Sequence, residues 1–158
     1  MTGRDRPAKE SDSALLAIAG PGAAALAVVW ATVDLERTLV GLGIDVDAAG
    51  TQIRTDTLLG ARVVIVPAGV DESRLAIAEP TTEGRLAAAL ARHGEGPAGR
   101  YVAVSDDLEH ARSRAGASGI TVSRVEDGPF GPSMLVLIGP VSGPHLILCE
   151  PAAVPSTP

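Results

Sequence analysis

Short apolar runs alternate along the chain with stretches in which apolar residues recur every third or fourth position, the two spacings that mark strands and helices. Residues 24–31 (Ala-Ala-Leu-Ala-Val-Val-Trp-Ala) predict a strand. Asp34 can then cap a helix whose Leu35, Leu39 and Leu42 share one face and which Gly43 ends. Strands are predicted near 44–48 and 52–58, the latter because Ile53, Thr55 and Thr57 alternate with Gln52, Arg54 and Asp56. Residues 62–66 and 74–78 complete a first unit. Leu86 and Leu90 mark the buried stripe of a helix over 82–93, stopped by Gly94. A strand at 100–104, a helix at 107–115 with Leu108, Ala111 and Ala115 inward, and strands near 119–125, 133–138 and 144–149 make a second unit.

The two units are copies of one pattern. Ala-Val-Val-Trp-Ala-Thr-Val-Asp-Leu-Glu (27–36), Leu-Gly-Ile (42–44) and Leu-Ala-Ile-Ala-Glu-Pro (75–80) recur as Tyr-Val-Ala-Val-Ser-Asp-Asp-Leu-Glu (101–109), Ser-Gly-Ile (118–120) and Leu-Ile-Leu-Cys-Glu-Pro (146–151). Strand, helix and three strands, twice over, predict an α+β protein with helices outside a curved sheet. Each copy needs the other to bury its sheet face, so the duplication constrains the fold more than propensity does. The expected organisation is one domain over 13–151, with module one at about 24–80, a linker helix at 82–93 and module two at about 99–151. The tails 1–12 and 152–158 lack periodicity and are expected to be disordered.

Composition narrows the partners. Nearly half of the 158 residues are apolar, enough for a sizeable core, but only Trp30, Tyr101 and Phe130 are aromatic. That leaves little flat surface on which to stack a planar ligand. A net charge of −6 without a basic cluster argues against nucleic-acid binding. Cys149 is the sole cysteine, so no internal disulfide can form, which fits a cytoplasmic, reducing compartment. Residues 14–33 are apolar over about the length of a membrane span. Gly20-Pro21-Gly22 would break a spanning helix, and 25–31 are needed as the first strand, so no membrane partner is expected.

The repeat resembles the vicinal oxygen chelate superfamily (glyoxalase I, extradiol dioxygenases, bleomycin-resistance proteins), most of all its methylmalonyl-CoA epimerase group. Ala-Glu-Pro-Thr-Thr-Glu-Gly-Arg-Leu-Ala-Ala-Ala-Leu-Ala-Arg-His-Gly-Glu-Gly (78–96) is similar to that group's linker, and Val-Ala-Val-Ser-Asp-Asp-Leu-Glu-His-Ala (102–111) to its second strand and helix. The resemblance covers about 24–151. It implies two tandem βαβββ modules forming a partly closed eight-stranded barrel around one central pocket. It also implies a divalent metal held by one side chain from each of four strands, since imidazole and carboxylate suit such cations. Those positions fall on Ala27, Ala76, Arg100 and Ile147. None is a ligand, so the expectation is a pocket with no metal and no other cofactor. The epimerase's catalytic carboxylate falls near Arg62, so epimerisation by the family mechanism is not supported.

If Ala27, Ala76, Arg100 and Ile147 mark the inward parity, then Arg74, His145 and Cys149 also face the pocket, with Arg62 beside them, while Trp30 and Tyr101 point outward. Guanidinium groups in a dry cavity attract a carboxylate or an enolate. Arg100 is therefore expected as an electrostatic clamp and His145 as the proton-transfer group, its pKa lying near neutrality. Arg62, Arg74, Phe130 and Cys149 are the expected ligand-binding residues, Phe130 from a Gly/Pro loop at 126–132. Plainer roles compete: Arg62 or Arg74 pairing with Glu79 or Asp71, His145 at a strand edge, Cys149 as a small core residue. The expected function is a metal-independent isomerase, lyase or cyclase acting on a small anionic or carbonyl-bearing molecule. A non-catalytic small-molecule binding or resistance protein is the alternative. Relatives associate as homodimers through sheet edges or helices, but no residue here specifies an interface.

Overall fold

The computed structural model describes residues 15–47, 52–67 and 74–151. The tails expected at 1–12 and 152–158, and Asp71, lie outside the described residues. A short helix α1 (15–19) and a turn through Pro21 and Gly22 lead into strand β1 (Ala24–Ala31). Then come α2 (Leu35–Gly41), β2 (Arg54–Asp56), β3 (Ala61–Pro67), β4 (Arg74–Pro80), α3 (Arg85–His93), β5 (Gly96–Ala103), α4 (Leu108–Ala117), β6 (Glu126–Gly128), β7 (Gly131–Leu135) and β8 (His145–Cys149). Among the described residues no helix is long and apolar enough to cross a membrane.

The strands form one sheet in the order β2-β3-β4-β1-β5-β8-β7-β6. Its end strands β2 and β6 approach each other, so the sheet curls into a nearly closed barrel. Each module repeats one plan, with its first strand parallel to its last and the others antiparallel. The antiparallel β1–β5 pair is the seam between modules, with Ala27 opposite Tyr101 and Val28 opposite Arg100.

The repeated residues explain why each helix starts where it does. Asp34 accepts the Arg37 amide at 3.0 Å, and Asp107 accepts that of His110 at 2.8 Å, the usual N-cap bond to a free first-turn donor. The closing Glu-Pro supplies a second acceptor: Glu79 takes the Leu35 amide at 2.6 Å, and Glu150 takes that of Leu108 at 3.1 Å. The acidic residues common to both copies are thus helix anchors.

Three apolar layers follow from strand parity. Leu35 and Leu39 of α2 lie on Val64, Val66 and Ile77 outside module one, with Trp30 beside them, as the alternation predicts for Trp30. Leu108, Ala111 and Ala115 of α4 cover Val102, Met134 and Leu148 outside module two, where Ile18 of α1 joins them. The opposite, inner face holds Ala27, Val29, Val63, Ala76, Ala78, Leu135, Ile147 and Cys149, with Leu86 and Ala89 of α3 packed against it.

Four expectations differ from the structure. Residues 44–47 are not a strand; Ile44 and Val46 pack beside α2 instead, and residue 48 lies outside the described residues. β2 is shorter than expected and turned over: Asp56 is buried while Ile53 is 48 % exposed. Segment 119–125 makes one isolated bridge, Val122 with Val136, because the Ser123 hydroxyl accepts the Leu135 amide where a backbone carbonyl would continue a ladder. The expected loop at 126–132 is instead the β6–β7 hairpin, turning at Pro129 and Phe130.

Candidate functional site

The inner face converges on Tyr101. Because Ala27 pairs with Tyr101 and Tyr101 with Ile147, the residues ringing the barrel centre are Ala27, Ala76, Tyr101 and Ile147. Arg100, the residue expected there, occupies the opposite face. The copies differ by one residue here: from Ala27 to the cap Asp34 is seven steps, from Tyr101 to the cap Asp107 only six. Counting the seven steps of module one back from Asp107 overshoots Tyr101 by one residue, to Arg100, and reverses the parity.

Tyr101 is fully buried and donates its hydroxyl to Oδ2 of Asp56 on β2. Asp56 Oδ1 accepts the Leu59 amide at 3.0 Å. Burial raises the Asp56 pKa against the pull of these two donors. Burial, then the Asp56 charge, pushes the Tyr101 phenol well above its ordinary value. The Ser133 hydroxyl donates to the Gly131 carbonyl at 2.9 Å and lies 3.5 Å from Cys149 Sγ. Burial lifts the Cys149 thiol to about 12, so it stays protonated and unreactive at neutral pH. Phe130 packs onto Tyr101 with ring centroids 5.2 Å apart and planes tilted by 59°. Ala27, Ala76 and Ile147 offer no donor to a divalent cation, and the polar side chains beside them, Tyr101 and Asp56, are bonded to each other.

Arg100 and His145 border one depression at the module seam from different sides: Arg100 pairs with Leu146 and Val28 on the outer face, whereas His145 has the inward parity of Ile147 and Cys149. They line a depression of about 340 Å³ with Leu15, Val28, Pro97, Gly99, Pro144 and Leu146. The close approach of β5 to β8 that forms its floor requires Gly99, since a side chain there would strike the His145 backbone. His145 is only 4 % exposed, and its Nε2 has no hydrogen-bond partner among the described residues. Burial, then the charge of Arg85, lowers its pKa against the backbone carbonyls of Val141 and Arg85, which lie against the ring and favour its protonated form. A buried ring nitrogen without a partner costs stability unless something binds to it.

The remaining expected residues are not brought together. Arg62 faces outward from β3, donating to Glu79 at 3.1 Å and to both oxygens of Glu36 at 2.8 Å. It thus takes the ion-pairing role weighed for it, bridging Glu36 and Glu79, two of three carboxylates that with Asp34 lie within 4.8 Å of one another. Arg74 is exposed at the start of β4. Phe130 and Cys149 belong to the inner face. Sequence alone missed Asp56 as an interior group. Its signal was a carboxylate in register with the pleat of a short strand, read there as the wet side.

No family model and no curated protein matches the chain. Solved structures do. Methylmalonyl-CoA epimerase from Mycobacterium tuberculosis superposes with a TM-score of 0.64 at 20% identity, over 82% of this chain and 88% of that one. The fold is that of the vicinal oxygen chelate proteins. A hypothetical protein from Bacillus halodurans matches this vicinal oxygen chelate fold with a TM-score of 0.64 at 17% identity, covering 87% of this chain and 100% of the other. A single-residue variant of the Streptomyces coelicolor methylmalonyl-CoA epimerase, in complex with 2-nitronate-propionyl-CoA, gives 0.63 at 20% identity, over 83% and 96%. At such identities the likeness defines the architecture, and the chemistry must be argued from side chains.

Proposed function

We propose that the protein acts, without a metal, on a small carboxylate-bearing carbonyl compound held in the depression between β1, β5 and β8. The observation that carries this is that Arg100 and His145 both line this depression, His145 with a buried Nε2 that makes no well-formed hydrogen bond among the described residues. Arg100 forks the substrate carboxylate and opposes negative charge that develops on the adjacent carbonyl oxygen. His145 Nε2 takes the proton from the intervening carbon; the C–H electron pair passes to the oxygen as an enolate, and return of the proton completes an isomerisation. Leu15, Val28, Pro97 and Leu146 supply apolar walls beside the charged atoms. Support of a different kind comes from structures of the same fold, one of them a methylmalonyl-CoA epimerase in complex with methylmalonyl-CoA and NH4+.

The test uses methylmalonyl-CoA and methylmalonate as probes. Calorimetric titration is expected to show binding that falls at least about tenfold in Arg100→Ala, the loss of one charge-assisted fork. Incubation in deuterated water is expected to exchange the acidic carbon-bound proton, and His145→Gln to stop the exchange without abolishing binding. Equal affinity in Arg100→Ala overturns the assignment of the clamp. Binding without exchange favours the second function, sequestration of the ligand, to which the apolar walls are equally suited.

A further inference from the structure

We infer that Tyr101 and Asp56 form a tie across the barrel interior that joins the two modules at the place where the fold would otherwise hold a cation. The two residues are remote in the sheet. Asp56 lies on β2, at one end of the strand order, and Tyr101 lies on β5, beyond β3, β4 and β1. Their hydrogen bond therefore crosses the cavity instead of running along the sheet. Every group around it agrees with a closed interior. Tyr101 and Asp56 are respectively 0% and 1% exposed, and Ala27, Ala76 and Ile147 leave room for the phenol by being small or by packing along it. Phe130 covers the ring from the β6–β7 turn, and Leu59, which follows β2, locks the second carboxylate oxygen.

A metal with ligands from both modules is a cross-link. A phenol–carboxylate bond in the same dry space does the same work with two side chains and no ion, and a hydrogen bond to a charged acceptor is about twice as strong as a neutral one. The tie occupies part of the space between the two modules, with Tyr101 and Asp56 both fully buried. The inference stands apart from the proposed chemistry at Arg100 and His145: loss or retention of methylmalonyl-CoA binding in Arg100→Ala does not bear on it.

The chain contains a single tyrosine and a single tryptophan, which makes the test direct. In an alkaline titration the tyrosinate absorbance reports Tyr101 alone, while Trp30 fluorescence reports unfolding of the outer layer. The expected result is no tyrosinate until the tryptophan signal shows the chain unfolding; earlier ionisation overturns the tie. Tyr101→Phe and Asp56→Asn are each expected to lower the thermal midpoint. The double variant should lose much less than the sum, because either change breaks the same bond. Additive losses overturn the inference. If Tyr101→Phe fails to fold, the titration of the unmodified chain and the midpoint of Asp56→Asn still decide. Chelator, manganese, cobalt, nickel and zinc are expected to leave the wild-type midpoint unchanged. A metal retained one-to-one, or a metal-induced rise lost in Asp56→Asn, overturns it as well.

Discussion

The carboxylate of Glu79, at the end of β4, accepts the first backbone amide of α2 from Leu35 at 2.6 Å. The same carboxylate receives Arg62 at 3.1 Å, so one side chain fixes a helix, a strand end and a neighbouring strand. Burial alone would raise its pKa, yet the hydrogen bonds from Arg62 and the Leu35 amide prevail and hold it below the ordinary value. A carboxyl with a depressed folded pKa stabilises above the unfolded value near 4.5 and loses that contribution as pH falls through the folded value. Glu79→Gln is expected to cost about 1 kcal/mol at neutral pH. The gap to the wild type should narrow in urea melts taken below about pH 4.

His145 behaves in the opposite sense. Its folded pKa is lowered from 6.5 by burial and then by Arg85, so the unfolded chain takes up a proton first as the solution is acidified. Stability is therefore complete above 6.5 and declines below it until the folded imidazole also protonates. His145→Leu is expected to flatten that limb in denaturant melts between about pH 5 and 7.5. His110, whose pKa Asp107 raises, contributes a trend of the reverse sign, and it is common to both proteins and cancels in the comparison.

Gly99 should tolerate no side chain. A Cβ there would collide with the carbonyl oxygen of His145 and lie 3.0 Å from both the carbonyl carbon and the nitrogen of that residue. These are backbone atoms of the paired strand and cannot rotate away. Gly99→Ala is expected to cost about 2–4 kcal/mol, measured as a fall in the denaturation midpoint, whereas Gly116→Ala on α4, with open space around it, should be neutral or mildly stabilising.

Cys149 offers a local reporter. Fully buried and with its thiol pushed up to about 12, it is expected to resist a thiol-specific chromogenic reagent in the native protein. It should react at a rate set by opening of the β7–β8 region, and the lone cysteine makes that rate unambiguous. Rapid labelling under native conditions would contradict the burial described for β8.

The repeat made most of the fold legible. Strand, helix and closing strand carry the same residues in each copy, and those residues have the same tasks: Asp34 and Asp107 cap, Glu79 and Glu150 anchor, Leu35 and Leu108 pack. The middle strands were harder because they are short and their pairing is partly made by side chains, as at Ser123. The site was only half legible. His145 and Arg100 do share the lining of a depression, but Arg100 reaches it from the outer face, since the strand of module two is one residue nearer its helix cap than that of module one. Asp56 was hidden for a different reason: a charged residue in a three-residue strand looks wet until its partner, four strands away, is known.

The strands that end the sheet, β2 and β6, are three residues each and lean toward one another. A long, flat, unpaired border is what lets one copy of a chain add to the next and grow into fibrils. Here the borders are too brief, and too nearly spent on each other, to template such growth; even concentrated solutions of the native protein should stay free of cross-β deposits.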